Sequence, residues 1–110
     1  MNKSEAVSIA SQKYCSITMQ NSNFANINAA KPVWWIDPTP NEESERWFLL
    51  HGDGVLYVLR IPSGTLCKGR FRQKGKLLSI EISVSTFVDV KSGGTKYDFR
   101  KNVIAEIDCA

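Results

Sequence analysis

The chain reads as an α+β domain, with one N-terminal helix packed on a mainly antiparallel sheet of about five strands. Three stretches carry that reading. Near the N-terminus, apolar residues recur at helical spacing. "WFLLHGDGVLYVLRI" holds two β-prone runs around a tight-turn dipeptide. "KLLSIEISVSTFVDV" alternates apolar and polar residues. A small open β-barrel with one helix, built from the same strands, is the alternative arrangement. At 110 residues the chain is long enough for one domain, 1–110, and too short for two.

The helix is expected over residues 2–20. Asn2 suits the cap and Glu5, three residues on, can reach back to the cap amide. Val7, Ala10, Tyr14 and Ile17 fall on one face, and Ser8, Ser11, Gln12 and Lys13 mostly on the other. "QNSNFANINAA" reads as a loop, because its four asparagines compete with backbone ladders for hydrogen bonds; Phe24 and Ile27 can pin it to the core. Val33–Ile36 is a short strand that Pro32, Pro38 and Pro40 push toward a sheet edge.

Trp47–His51 and Val55–Ile61 form a hairpin, with Asp53-Gly54 suited to a type I′ turn. Both faces of these strands are apolar, so the hairpin belongs mid-sheet with a layer on each side, the helix covering one. From Leu78 to Val90 most even positions (Leu78, Ile80, Ile82, Val84, Val88 and Val90) are apolar and most odd positions polar, predicting a long strand with one buried and one wet face. "KSGGTKY" reads as a turn and "KYDF" as a strand. "RKNVIAEID" suits a helix and a strand equally.

The charge is unevenly placed. Between Arg60 and Lys76 there are six cations and no acid, giving +6; the remaining eight Lys and Arg against eleven Asp and Glu give −3. With Lys74-Gly75 as a two-residue turn, Phe71 faces Leu78, Cys67 faces Ile82, Arg70 faces Ser79 and Lys68 faces Glu81 across a hairpin. That register turns Lys68, Arg70, Arg72 and Lys74 to solvent together, with Lys76 just past the turn. These five residues are the candidate polyanion-binding set. Neighbours of one parity on a strand lie about 6.6–7 Å apart, which suits successive contacts with a phosphate backbone. Exposed strands also carry Lys and Arg simply to block edge-to-edge pairing, and a hairpin at a sheet edge would want such charges whatever its function, so a solubility device is the simpler account of the arm.

Trp34 and Trp35 are adjacent, so in a strand they point to opposite faces. An outward indole flanked by prolines offers a protein-contact surface. Catalytic readings find little support. His51 is the sole histidine and sits at a strand end beside a turn; no carboxylate cluster, phosphate loop or triad spacing is recognisable. Cys15, Cys67 and Cys109 are odd in number and widely spaced, which points to free thiols rather than a disulfide framework or a zinc site. No cofactor and no metal are implied.

No stretch approaches the roughly 18–20 apolar residues of a membrane span, and Ser8, Ser11, Gln12 and Lys13 interrupt any secretory signal. A cytoplasmic location follows, or a chain cut from a longer precursor. The functional expectation is a small non-enzymatic binding module whose basic arm contacts nucleic acid or an acidic protein. The alternative is a protein-interaction or self-associating domain, a homo-oligomer, that uses Trp34, Trp35 and a sheet edge, with no membrane involved.

Overall fold

A computed structural model describes residues 1–91 and 96–109. The order of elements is α1 (Lys3–Lys13), β1 (Ser22–Asn26), β2 (Val33–Ile36), β3 (Arg46–Gly52), β4 (Val55–Ile61), β5 (Arg72–Lys74), β6 (Leu77–Ser83), a 3-10 turn (Phe99–Asn102) and β7 (Val103–Asp108). The fold is α+β, and the described strands form two open sheets rather than one: a four-stranded sheet in the order β1-β3-β4-β7 and a three-stranded sheet in the order β2-β6-β5. β1 runs parallel to β3, and the other pairings of these strands are antiparallel.

The molecule has three layers. On one face of the four-stranded sheet, Trp47, Leu49, Leu56, Val58 and Ala105 pack with Ala6 and Ala10 of α1. On the other, Phe48, Leu50, Leu59 and Ile61 meet Trp34, Ile36, Leu78, Ile80 and Ile82 of the three-stranded sheet. The apolar residues on both faces of β3 and β4 are thus buried by the helix on one side and the second sheet on the other. Among the described residues, no helix or strand covers the outer face of the three-stranded sheet.

The capping box closes the start of α1: Glu5 N–H donates to Asn2 Oδ1 at 2.9 Å, and Asn2 N–H to Glu5 Oε1 at 3.3 Å. The helix stops at Lys13 rather than running on to residue 20. Beyond it the Asn21 side chain takes over the backbone, accepting from Thr18 N–H at 2.8 Å and donating to the Ser16 carbonyl at 2.7 Å. Lys3 and Arg46 tie this turn down. Lys3 donates to the Met19 carbonyl, and the Arg46 guanidinium donates to Asn23 Oδ1 and to the carbonyls of Gln20 and Ser22. Burial lowers the pKa of Arg46; burial and then the nearby Arg46 charge lower that of Lys3.

The asparagine-rich segment is the largest correction. It contains strand β1 and is not simply a loop. Parallel pairing with β3 overrides the local preference, and the asparagines serve as edge links: Asn23 accepts from Arg46, and Asn26 pairs with His51 Nδ1 at 2.9 Å. Phe24 and Ile27 do pack against the core. The β3–β4 hairpin forms as expected, with positive φ at both Asp53 (52°) and Gly54 (75°), as a type I′ turn requires. β2 spans Val33–Ile36 and is an edge strand.

The strand predicted from Leu78 to Val90 stops at Ser83. Residues 84–86 turn, and the chain folds back beside β6 through an Ile82–Asp89 bridge and a bond from Ser83 N–H to the Val88 carbonyl at 2.9 Å. Phe87 takes φ 61° to make this turn; its ring is held between Trp34 and Tyr57. Val90 is consequently exposed and Asp89 fully buried, the reverse of the simple alternation. "KYDF" is not a strand. Asp98 bridges Val88 and Phe99 opens the 3-10 turn, while the ambiguous C-terminal segment contributes strand β7. The turn expected over "KSGGTKY" falls largely on residues 92–95, outside the described ones.

Candidate binding face

The basic stretch does not form one long ribbon. β5 covers only Arg72–Lys74, and its register is Arg72 opposite Ser79 and Lys74 opposite Leu77. The turn is Gly75-Lys76 rather than Lys74-Gly75. Gly75 has φ 62° and Lys76 does not share it, the pattern of a type II′ turn with glycine first. The offset is two residues along β5, so sidedness survives: Phe71 is buried at 4% exposure while Arg72 and Lys74 face solvent.

The five candidate cations are therefore not equivalent. Arg72 and Lys74 stand on the outer face of the three-stranded sheet. Lys76 lies in the exposed turn, and Lys68 in an exposed turn before Phe71. Arg70 folds back. Its guanidinium donates to the Thr65 carbonyl at 3.1 Å and lies 5.6 Å from the Tyr97 ring centroid. Arg60 pairs with Glu45 at 2.8 Å, and Lys74 with Asp37 at 3.2 Å. Among the described residues, Arg72, Lys68 and Lys76 have no carboxylate at ion-pair distance.

The tryptophans separate as adjacent strand residues must. Trp34 is 1% exposed, its Nε1 donating to the His51 carbonyl at 3.0 Å, so it is a core residue and not part of a contact surface. Trp35 is 42% exposed on the outer face, opposite Glu81 of β6. The Lys91 ammonium sits 4.2 Å from the Trp35 ring centroid, a cation–π contact.

Beside this pair lies a small cleft of about 230 Å³ lined by Arg72, Gln73, Lys74, Ser79 and Lys91. Ser79 is 3% exposed, and its buried hydroxyl has no hydrogen-bond partner among the described residues. The wet face expected of β6 is thus partly closed at Ser79 and Glu81. β6 is the central strand, so long side chains from both neighbours reach over its small residues. Glu81 is 5% exposed and held by Lys31 at 3.2 Å. Asp89 Oδ1 accepts from the amides of Glu81 and Lys91, which holds the Lys91 backbone against β6.

Lys91 and Ser79 are the residues that sequence reasoning missed. Lys91 lies well beyond β6 in the chain and reaches the cleft only because residues 84–86 turn back. Ser79 looked like one of several interchangeable wet-face serines. A larger concavity of about 550 Å³ lies elsewhere, lined in part by Glu43, Glu45, Arg60, Lys101 and Asn102. Its charges are mixed and partly engaged with each other: Arg60 holds Glu45, and Asn102 donates to the Arg60 carbonyl at 3.0 Å. Among the described residues it holds no buried polar side chain without a partner, so the smaller cleft is the better candidate despite its size.

His51 contributes its imidazole to Asn26 across β1 and β3. Cys15, Cys67 and Cys109 are free thiols. Among the described residues no cluster of His, Cys, Asp and Glu is placed to hold a metal ion, and no helix is long and apolar enough to cross a membrane. No protein-family model matches the chain, nor does any curated protein or solved structure.

Proposed function

We propose that the protein is a non-enzymatic binding module whose ligand is a polyanion, engaged on the outer face of the three-stranded sheet. One observation supports this above the others: Arg72, Lys74 and Lys91 line one cleft with Ser79, whose buried hydroxyl lacks a partner among the described residues. Leaving a buried hydroxyl unpaired costs on the order of 1–3 kcal/mol, and a ligand that supplies the missing bond recovers that cost. Clustered cations with an adjacent hydroxyl donor are the chemistry of phosphate recognition.

The site differs from a simple basic arm. Lys91 joins it, Arg70 leaves it, and Lys68 and Lys76 act at most as long-range attraction. Retention on immobilised heparin, falling steeply with salt, is the expected behaviour. Arg72→Glu combined with Lys91→Glu abolishes that retention and leaves the circular dichroism spectrum unchanged. Retention untouched by the double variant rejects this face as the site.

A second reading rests on the other sheet. β7 is an outermost strand of the four-stranded sheet, with Ile104 41% exposed, and suits pairing with a second copy. That reading requires a sedimentation mass that rises with concentration, and it fails if the mass stays monomeric.

A further inference from the structure

We infer that the polyanion is a single-stranded nucleic acid, with one base stacked on Trp35 and its phosphate between Arg72, Lys91 and the Ser79 hydroxyl. This rests on the polyanion reading above and adds the chemical class of the ligand.

The indole is the first reason. A polyanion bound by charge alone has no use for an exposed tryptophan, whereas a nucleobase presents a flat π-face to it. Trp35 is fixed on the backbone between Trp34 and Ile36, both buried in the core beneath. Its ring is carried by a paired strand of the sheet, the rigid support that a stacking platform requires.

Lys91 supplies the second reason, because it belongs to both halves of the site. Its ammonium lies over the Trp35 ring, and the residue also lines the cleft around Ser79. The backbone of Lys91 is anchored by the hydrogen bond its N–H donates to Asp89 Oδ1 at 3.0 Å, so only the side chain has to move. A base arriving on the indole displaces the ammonium, and the ammonium swings to the phosphate beside Arg72. The cation–π contact thus keeps the ring covered and the charge close by until the ligand arrives.

Spacing is the third. Trp35 stands across from Glu81, one strand separation of about 4.8 Å from β6, and Ser79 lies two residues, about 6.8 Å, further along that strand. A single nucleotide spans that diagonal from base to phosphate. A duplex does not fit the arrangement, since its base faces are stacked inside and withheld from the indole. The carboxylates around the site limit rather than prevent binding: Glu81 pairs with Lys31, Asp37 with Lys74, and Asp89 is buried against backbone amides.

The test is a fluorescence titration of the full chain with an eight-residue oligothymidylate, an eight-residue oligouridylate, a blunt duplex of eight base pairs and inorganic polyphosphate. Either or both oligonucleotides should quench the emission, since Trp34 and Trp47 are buried and Trp35 is the exposed indole. Trp35→Ala should remove the quenching and weaken oligonucleotide binding by about 5- to 100-fold, with polyphosphate binding unchanged. Trp35→Phe should restore much of the affinity. If polyphosphate and duplex bind as tightly as the single strands and Trp35→Ala changes nothing, the stacking inference is wrong while the polyanion reading stands. If none of the four probes binds, both are wrong.

Discussion

The two sheets of this protein are built from similar strands but left in opposite states. The four-stranded sheet is covered on both faces, by α1 and by the second sheet, and its central strands β3 and β4 place apolar side chains in both cores. The three-stranded sheet packs through one face. Its other face holds an exposed Trp35 and three cations around a cleft. On or beside its strands, Asp37 Oδ1, Ser79 Oγ and Asp89 Oδ2 are buried with no partner among the described residues. In the four-stranded sheet the corresponding group is the Trp47 indole N–H. The contrast separates a scaffold, whose interactions are nearly complete, from a surface where the proposed ligand would supply the missing ones.

Substitutions sharpen the contrast, the largest effect coming from the scaffold. Phe48, fully buried between the sheets, is expected to cost about 3–5 kcal/mol of stability when replaced by alanine. Trp35→Ala, at an exposed position, should cost less than about 1 kcal/mol by chemical denaturation. Equal losses at the two sites would erase the distinction.

The next effect is on binding alone. Arg72→Glu with Lys91→Glu should weaken oligonucleotide binding by roughly 100-fold. It should also flatten the salt dependence by about 0.7 in log–log slope for each phosphate that the variant no longer neutralises. Asp37→Asn acts in the opposite direction. It frees Lys74 from its 3.2 Å pair, and a several-fold tightening is expected in the same titration.

Ser79→Ala yields a smaller but more diagnostic result. Removing an unpartnered buried hydroxyl should leave the melting temperature unchanged or raise it by a few degrees, while anion affinity falls. A drop in melting temperature would mean that the hydroxyl is structurally engaged. The smallest effect is a pH dependence in the scaffold. The folded pKa of Lys3 lies below its ordinary value of 10.5, so the unfolded chain binds more protons between the two values. Stability should therefore rise slightly with pH across that alkaline window, and Lys3→Gln should abolish the rise.

How much of this is legible in the sequence differs between the sheets for the same reason. The β3–β4 hairpin and its apolar faces could be read directly, because Asp53-Gly54 dictates the turn and uninterrupted β-prone runs dictate the strands. The opposite facing of Trp34 and Trp35, and the inward facing of Phe71 against an outward Arg72, followed from strand periodicity alone. What could not be read depends on contacts distant in sequence. β1 is a strand only because β3 is alongside it; its asparagines by themselves favour turns. Lys91 joins Arg72 only through the reversal at residues 84–86, which no turn dipeptide announces and which places Phe87 at positive φ. The same reversal ends β6 at Ser83 and buries Asp89, so the simple alternation from Leu78 to Val90 could not show which of its polar residues stay wet.

The most direct test maps backbone amide and indole NMR shifts during titration with the oligothymidylate. Perturbations confined to Trp35, β5, β6 around Ser79 and the segment at Lys91, with α1 and β3 silent, are the predicted result. Shifts centred on α1, on β7 or on the concavity at Glu45 and Arg60, with the Trp35 indole unmoved, would contradict it.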